Sequence, residues 1–410
     1  MDESLRHKLA ILAEAARYDA SCASSGVKRE RPAGGLGNGV GMGICHSFTP
    51  DGRCVSLLKL LLTNHCVYDC RFCVNRTTSA TERARFTPDE VVRLTIDFYR
   101  RNYIEGLFLS SGIITSPDHT MAELAEVARR LREEHAFGGY IHLKAAPGAS
   151  ADVLFEAGRW ADRISANIEF ATDADLRALA PAKTHAATEA VMATLKEGID
   201  AARAEPGRGR FVPAGQSTQM VVGASPTSDA TILRKAEELY ARHGLKRVYY
   251  SAFSPIPHPD PSLPLVAAPL AREHRLYQAD WMVRHYGFRA DEVLEPGADL
   301  PLERDPKLDW ALRHRGFFPV DVNTAPREAL LRIPGCGVKS VDRIISIRRQ
   351  HRLCLADLRA LRVRVAKARP FLIASDHLPP TRELDALTLG TTSAQPRQLE
   401  LDLFAGGGER

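Results

Sequence analysis

Six short apolar runs, each followed by a longer amphipathic and charged stretch, dominate the chain between residues 57 and 253. They span residues 57–63, 106–110, 140–144, 163–170, 218–222 and 247–253. Intervening stretches long enough to hold a helix force neighbouring strands to pair in parallel. Residues 88–101 and 121–134 read as two of these helices. Thr87, Pro88 and Glu90 open the first of them as a capping box with proline at the first helical position. The fold class is therefore α/β. Six units, where a closed barrel needs eight, predict a partial (β/α)6 barrel, with an open doubly wound sheet as the alternative. No internal repeat is legible beyond this alternation.

The remainder divides by composition. Residues 1–54 form a helical, cysteine-containing extension and 55–260 the barrel. The proline-rich stretch from residue 254 to 270 leaves the last strand as an extended connection. A connecting helical segment follows over 261–315, then a small all-α domain over 316–375 and a tail over 376–410. The longest apolar stretch near the start, residues 57–62, is interrupted by Lys59 and is far shorter than the roughly 20 residues that cross a bilayer. The first 20 residues mix both charges at helical spacing, without the apolar core or cleavage site of a secretory leader. A cytoplasmic protein with no membrane partner is expected.

Eight cysteines stand at positions 22, 45, 54, 66, 70, 73, 336 and 354. In a cytoplasmic chain the crowding of six of them into the first 73 residues argues for metal or redox chemistry over disulfides. The run CVYDCRFC places Cys66, Cys70 and Cys73 directly after the first predicted strand. Zinc could use these three thiolates with His65, but structural zinc sites usually recruit a second, distant ligand pair. Ligand softness favours an iron-sulfur cluster. Three thiolates hold three irons of a [4Fe-4S] cube and leave the fourth iron open to a cofactor or substrate. Cys22, Cys45 and Cys54 would suit an auxiliary cluster, with His46 as a fourth ligand, or they are inert buried thiols.

This spacing, with aromatic Phe72 just before the third cysteine, resembles the signature of the radical S-adenosylmethionine superfamily, and the resemblance covers residues 55–260. It implies a partial barrel whose [4Fe-4S] cluster binds S-adenosyl-L-methionine and cleaves it to a 5′-deoxyadenosyl radical that abstracts hydrogen. An electron donor such as flavodoxin or ferredoxin is implied with it. The family's second-strand Gly-Gly-Glu motif is represented by Ser110, Ser111 and Gly112. Asn167 and Glu169 resemble its ribose contacts, and Gly223 and Phe253 stand where it contacts adenine. Strand alternation turns His142 and Lys144 toward the lumen, where they are the candidate catalytic residues, or where a cation partners Glu169.

Charge points to a second function. Between residues 331 and 370 there are eleven Lys or Arg against two acids, inside a chain whose net charge is only +5. The start of this segment, LRIPGCGVKSVDRIISIRR, resembles a helix-hairpin-helix module. Gly335 and Gly337 would let the hairpin backbone approach a phosphate, with Lys339 and Arg343 nearby. The tail sequence QLELDLF at 398–404 resembles the peptide by which bacterial repair proteins dock on the sliding clamp. Together with GICHSFTPDGRCVSLLKLLLTNHC, these features resemble a bacterial family of DNA modification or repair radical proteins, linked to uracil-DNA-glycosylase-like partners. The expectation is a radical enzyme that modifies or repairs DNA. Modification of RNA, and a non-enzymatic iron-sulfur DNA-binding sensor, are the alternatives.

Overall fold

The computed structural model of the chain describes residues 3–16, 44–48 and 54–380, apart from 206 and 208. These residues form two compact units. The first falls within Met1–Thr227 and Glu238–Ala268, the second within Ser228–Glu237 and Pro269–Gln398.

In the first unit, α1 (Glu3–Ala15) buries Leu5, Leu9 and Leu12 along one stripe. Lys8 on the same helix reaches Glu90 at 2.8 Å. A short β1 (Ile44–Phe48) pairs antiparallel with β2 (Cys54–Leu61). From β2 onward the alternation is regular: α2 (Pro88–Arg100), β3 (Gly106–Ser110), α3 (Pro117–Glu133), β4 (Tyr140–Lys144), α4 (Ala151–Trp160) and β5 (Arg163–Ser165). The pair α5 (Asp173–Leu179) and α6 (His185–Ala204) then leads to β6 (Gln216–Val222), α7 (Asp229–His243) and β7 (Arg247–Ala252). Thr87 and Glu90 form the reciprocal capping box at the start of α2, and Ser116, Thr172 and Thr184 cap α3, α5 and α6 with their hydroxyls.

The sheet order is β1-β2-β3-β4-β5-β6-β7, with every pair after the first parallel. Each parallel strand lies beside the one before it in sequence. A doubly wound sheet would reverse its order at a switch point, so this topology is that of a partial barrel. Leu58 and Leu60 on one face of β2, and Leu57 and Leu61 on the other, are all buried, which explains why the strand reads as continuously apolar. The fourth predicted strand is shorter than expected. β5 stops at Ser165, and the chain rejoins the sheet only at the Glu169–Met220 bridge.

In the second unit, α8 (Leu270–Tyr286) ends at Gly287 and is followed by α9 (Ala290–Val293) and α10 (Pro306–Arg313). The start of α7 also belongs to this unit. Its fully buried Asp229 accepts from Arg272 Nε at 2.7 Å and from the Leu300 amide at 3.0 Å. A two-residue β8 (Val320–Asp321) pairs in parallel with β9 (Leu372–Ile373). Between them lie α11 (Arg327–Arg332), α12 (Val338–Ile347), α13 (Leu355–Ala360) and α14 (Val365–Ala368). Trp310, Phe288, Phe318 and Phe371 make the aromatic core, through edge-to-face contacts of 5.0 to 6.2 Å. No helix among the described residues is long and apolar enough to cross a membrane.

Candidate active site

The loop after β2 carries the three cysteines and is organised before any metal is considered. Asn64 accepts the Ala84 amide at 2.8 Å and donates to Glu82 O at 2.7 Å, so the returning segment closes the base of the loop. Arg83 then collects the loop's own carbonyls. Its Nη1 donates to Asn64 O and, at 2.9 Å, to Asn75 O, and its Nη2 donates to Arg76 O and Ser79 O at 2.6 and 3.1 Å. A planar guanidinium with five donors is the side chain suited to that task. Nothing in the local pattern of the sequence marks Arg83, because its partners become visible only once the loop has turned back.

Cys70 is buried, and Cys66 and Cys73 are half-buried. Cys70 packs with Phe170, Leu176, Leu179 and Leu263, and Phe72 meets Phe170 edge-on at 5.2 Å. Desolvation pushes the Cys73 thiol up to about 12 and raises Cys70, Lys183 opposing the rise at both. Buried thiols of this kind lose their protons when a metal supplies the compensating charge. Backbone amides are already aimed at two of the sulfurs, Ile113 N–H at Cys66 Sγ and Asn75 N–H at Cys73 Sγ, each at 3.4 Å. Hydrogen bonds to cluster-ligating sulfurs are among the features that set cluster potential. Three thiols on one loop, two of them already met by backbone amides, fit the soft-ligand demand of a [4Fe-4S] cluster.

The end of β3 is laced to this loop. Gly112 N–H donates to Thr63 O at 2.8 Å, and Val67 N–H donates to Ile113 O at 2.8 Å. A Cβ on Gly112 would sit 2.3 Å from His65 O, so only glycine allows the two loops to approach this closely. Ser111 turns its hydroxyl onto the Gly112 carbonyl at 2.7 Å, while Ser110 is buried in the strand.

Glu169 is the carboxylate of the site. It has φ +63°, a left-handed conformation uncommon for a residue of its size, and its buried side chain is held by two donors. Lys183 Nζ donates to Oε1 at 2.7 Å and Asn167 Nδ2 to Oε2 at 3.4 Å. Burial alone would depress the Lys183 ammonium, but Glu169, with Cys70 behind it, raises it well above its ordinary value. The partner of Glu169 is therefore Lys183, from the turn between α5 and α6. Lys144, the cation that alternation had offered for this role, lines a polar space with Asn167, the second donor to Glu169. Sequence reasoning missed Lys183 because no periodic pattern connects that turn to the barrel mouth.

Lys144 lines a narrow polar space of about 10 Å³ together with His142, Ser165, Asn167, Gln219 and Tyr249. His142 Nε2 is 3.0 Å from Ser165 Oγ, and its ring stands edge-on to Phe108 at 4.4 Å. Ser217 Oγ is buried in the same wall without a hydrogen-bond partner. A space of that size holds about one water, so any larger molecule is met at the strands' carboxyl ends. Gly223 follows β6 at φ +82°, and Phe253 is buried beside Cys70 in the same apolar cluster. The proline-rich connection is tied to the cysteine loop as well, Arg71 Nη1 donating to Ser262 Oγ at 3.3 Å and Arg76 Nη2 to His258 O at 2.5 Å.

Of the three other N-terminal cysteines, only Cys45 has a side chain among the described residues. Cys22 lies outside the described residues, as do the side chains of Cys54 and His46. Cys45 is buried against Val55, Leu57 and Phe108.

In the second unit, two of the eleven cations hold the unit together. Arg332 pairs with Glu292 at 2.8 Å and stacks over Phe288, while Arg348 donates to Val322 O and Ala325 O. The other nine, Lys339 and Arg343 among them, are at least partly exposed. The two glycines of the turn differ in their surroundings. Gly335 has φ +85°, and a Cβ there would lie 2.8 Å from Arg364 O, so the space beside it is filled by the protein itself. At Gly337 a Cβ would meet only the Tyr286 hydroxyl, at an ordinary 3.6 Å. The turn is pinned from inside by Lys307, a buried ammonium that donates to Cys336 O at 2.5 Å and lies 4.4 Å from the centre of the Tyr286 ring. Burial brings Lys307 down to about 8. The tail motif at 398–404 lies outside the described residues.

The first unit is thus a sequential parallel half-barrel with three thiols on the loop after its first parallel strand. Residues 60–203 match the sequence profile of the Radical SAM superfamily, so the chain carries a domain of that superfamily. Members of the superfamily use a [4Fe-4S] cluster and S-adenosylmethionine, which implies reductive cleavage of the latter. The fold is similar to that of HydG, a maturase of the [FeFe]-hydrogenase, at 13% identity and TM-score 0.41, covering 54% of this chain and 48% of that one. It is similar also to the HydG maturase from Carboxydothermus hydrogenoformans, at 16% identity and TM-score 0.43, covering 55% and 50%. Methylornithine synthase (PylB) matches at 17% identity and TM-score 0.39, covering 50% and 54%. This chain thus spans about half the length of each of these proteins. No curated protein matches it.

Proposed function

We propose that the protein is a radical enzyme that modifies or repairs DNA. The reading is carried by one coincidence: a Radical SAM domain with an ordered three-thiol loop shares a chain with a helical unit that presents nine cations to solvent between residues 331 and 370. The resemblance to the bacterial DNA modification and repair radical family adds to it.

When bound, the [4Fe-4S] cluster with S-adenosylmethionine supplies a 5′-deoxyadenosyl radical, given one electron from a donor of the flavodoxin or ferredoxin kind. Cys66, Cys70 and Cys73 would hold the cluster. Ser110, Ser111 and Gly112 would stand near it, Asn167 and Glu169 would offer polar atoms to the nucleoside part of the cofactor, and Gly223 and Phe253 would meet its adenine. Lys183 holds the Glu169 carboxylate in place. His142, supported by Ser165, and Lys144 stand on the lumen wall that a substrate at the mouth would meet. The cationic unit would hold DNA through its phosphates, which fixes position without reading sequence. The tail at 398–404 would recruit the sliding clamp, and a uracil-DNA-glycosylase-like protein would act with the enzyme.

The test is 5′-deoxyadenosine formation by the anaerobically reconstituted protein with duplex DNA, with structured RNA and with neither. Stimulation by the duplex, with deuterium passing from labelled DNA into 5′-deoxyadenosine, is expected. Stimulation by RNA alone would transfer the reading to RNA. A fully loaded protein that binds DNA and cleaves no S-adenosylmethionine would be the iron-sulfur sensor instead.

A further inference from the structure

The second unit contains an internal repeat that the sequence conceals. α11 and α12 are joined through Gly335 and Gly337, and α13 and α14 through Arg362 and Arg364. Corresponding residues are separated by the same 27 positions (331 to 358) throughout. Leu331 and Leu358 are buried before each turn, Cys336 and Val363 within it, and Val341 and Ala368 after it. The left-handed residue is Gly335 in the first turn and Arg362, at φ +62°, in the second. The residue that caps the following helix is Gly337 in the first and Arg364 in the second.

The two turns pack directly together. Arg364 N–H donates to Gly335 O at 3.1 Å, and Ser340 Oγ donates to Arg362 O at 3.1 Å. This contact also explains why no Cβ fits at Gly335. Lys339 and Arg343 are accessible beyond the first turn, and Arg362, Arg364 and Lys367 are exposed on the second. Asp342, one of the two acids of the segment, is bound to Arg327 at 2.9 Å.

We propose that residues 355–368 are a second DNA-phosphate contact paired with the first, in which the Arg362 and Arg364 guanidinium groups reach phosphates that the glycine turn would meet with its backbone. This rests on the DNA reading above and deepens it. Arginine in a left-handed turn is strained where glycine is not, and two guanidinium groups replace the two glycines of the first turn. Arg362 stands against its backbone preference, is exposed, and carries the charge complementary to a phosphate, so its side chain is the part suited to that contact.

Arg362→Gly separates the two roles. Removing the strain should raise the melting temperature by a few degrees, while duplex DNA affinity falls about three- to tenfold and the salt slope of binding drops by about one contact. Lys367→Gln, which leaves the turn intact, should lower the slope in the same way and keeps the test open if the glycine variant folds poorly. Wild-type protein that binds the duplex, with both variants matching its affinity and slope, would overturn the second contact and leave the DNA reading standing. Wild-type protein that binds no duplex would overturn both, and the same losses seen with structured RNA but not with DNA would reassign the surface to RNA.

Discussion

Glu169 occupies a backbone conformation that a glutamate disfavours, and its buried carboxylate is met by the Lys183 ammonium at 2.7 Å and by Asn167 at 3.4 Å. Removing one member of a buried ion pair leaves the other uncompensated. Lys183→Met should therefore cost about 3 kcal/mol in urea unfolding, and adding Glu169→Gln to it should recover a good part of that loss. A cost below about 1 kcal/mol would mean that the pair is solvated and does not set the charge at the barrel mouth. At this scale the three cysteines were legible because their ligand spacing lies within one loop. Lys183 and Arg83 were not, since each is defined by partners that only the folded chain brings near.

The strands and helices of the first unit follow from local rules. Apolar runs buried on both faces make β2, β3 and β4, and the Thr87 cap starts α2 where the sequence signals it, whereas α3 begins at Pro117 behind the Ser116 cap, four residues before the expected start at 121. β1 escaped notice because ICHSF is short and has neither a clean alternation nor a long apolar run. The internal repeat escaped for a different reason. Gly-x-Gly in the first turn becomes Arg-x-Arg in the second, so the residues that advertise a tight turn are absent from one copy. The glycines of the first turn differ in the same physical terms. Gly335→Ala should destabilise the second unit by about 2 kcal/mol, from left-handed strain and the contact with Arg364 O. Gly337→Ala should cost less than about 1 kcal/mol, its Cβ meeting only the Tyr286 hydroxyl at ordinary contact distance. Thermal unfolding of the two variants in parallel checks this ordering, and equal losses would contradict it.

Across the whole molecule, the order of the sheet decides the class of fold and the cysteine loop decides the chemistry. The central claim is that the thiols of Cys66, Cys70 and Cys73 hold a cluster that cleaves S-adenosylmethionine reductively. It is tested most directly by reconstituting wild-type protein and Cys70→Ala side by side without oxygen, supplying a strong reductant and S-adenosylmethionine, and quantifying iron and 5′-deoxyadenosine. The wild type should bind close to four irons per chain, as one [4Fe-4S] cluster requires, and form 5′-deoxyadenosine, while Cys70→Ala should lose both. Formation of 5′-deoxyadenosine by Cys70→Ala at the wild-type rate would contradict the account.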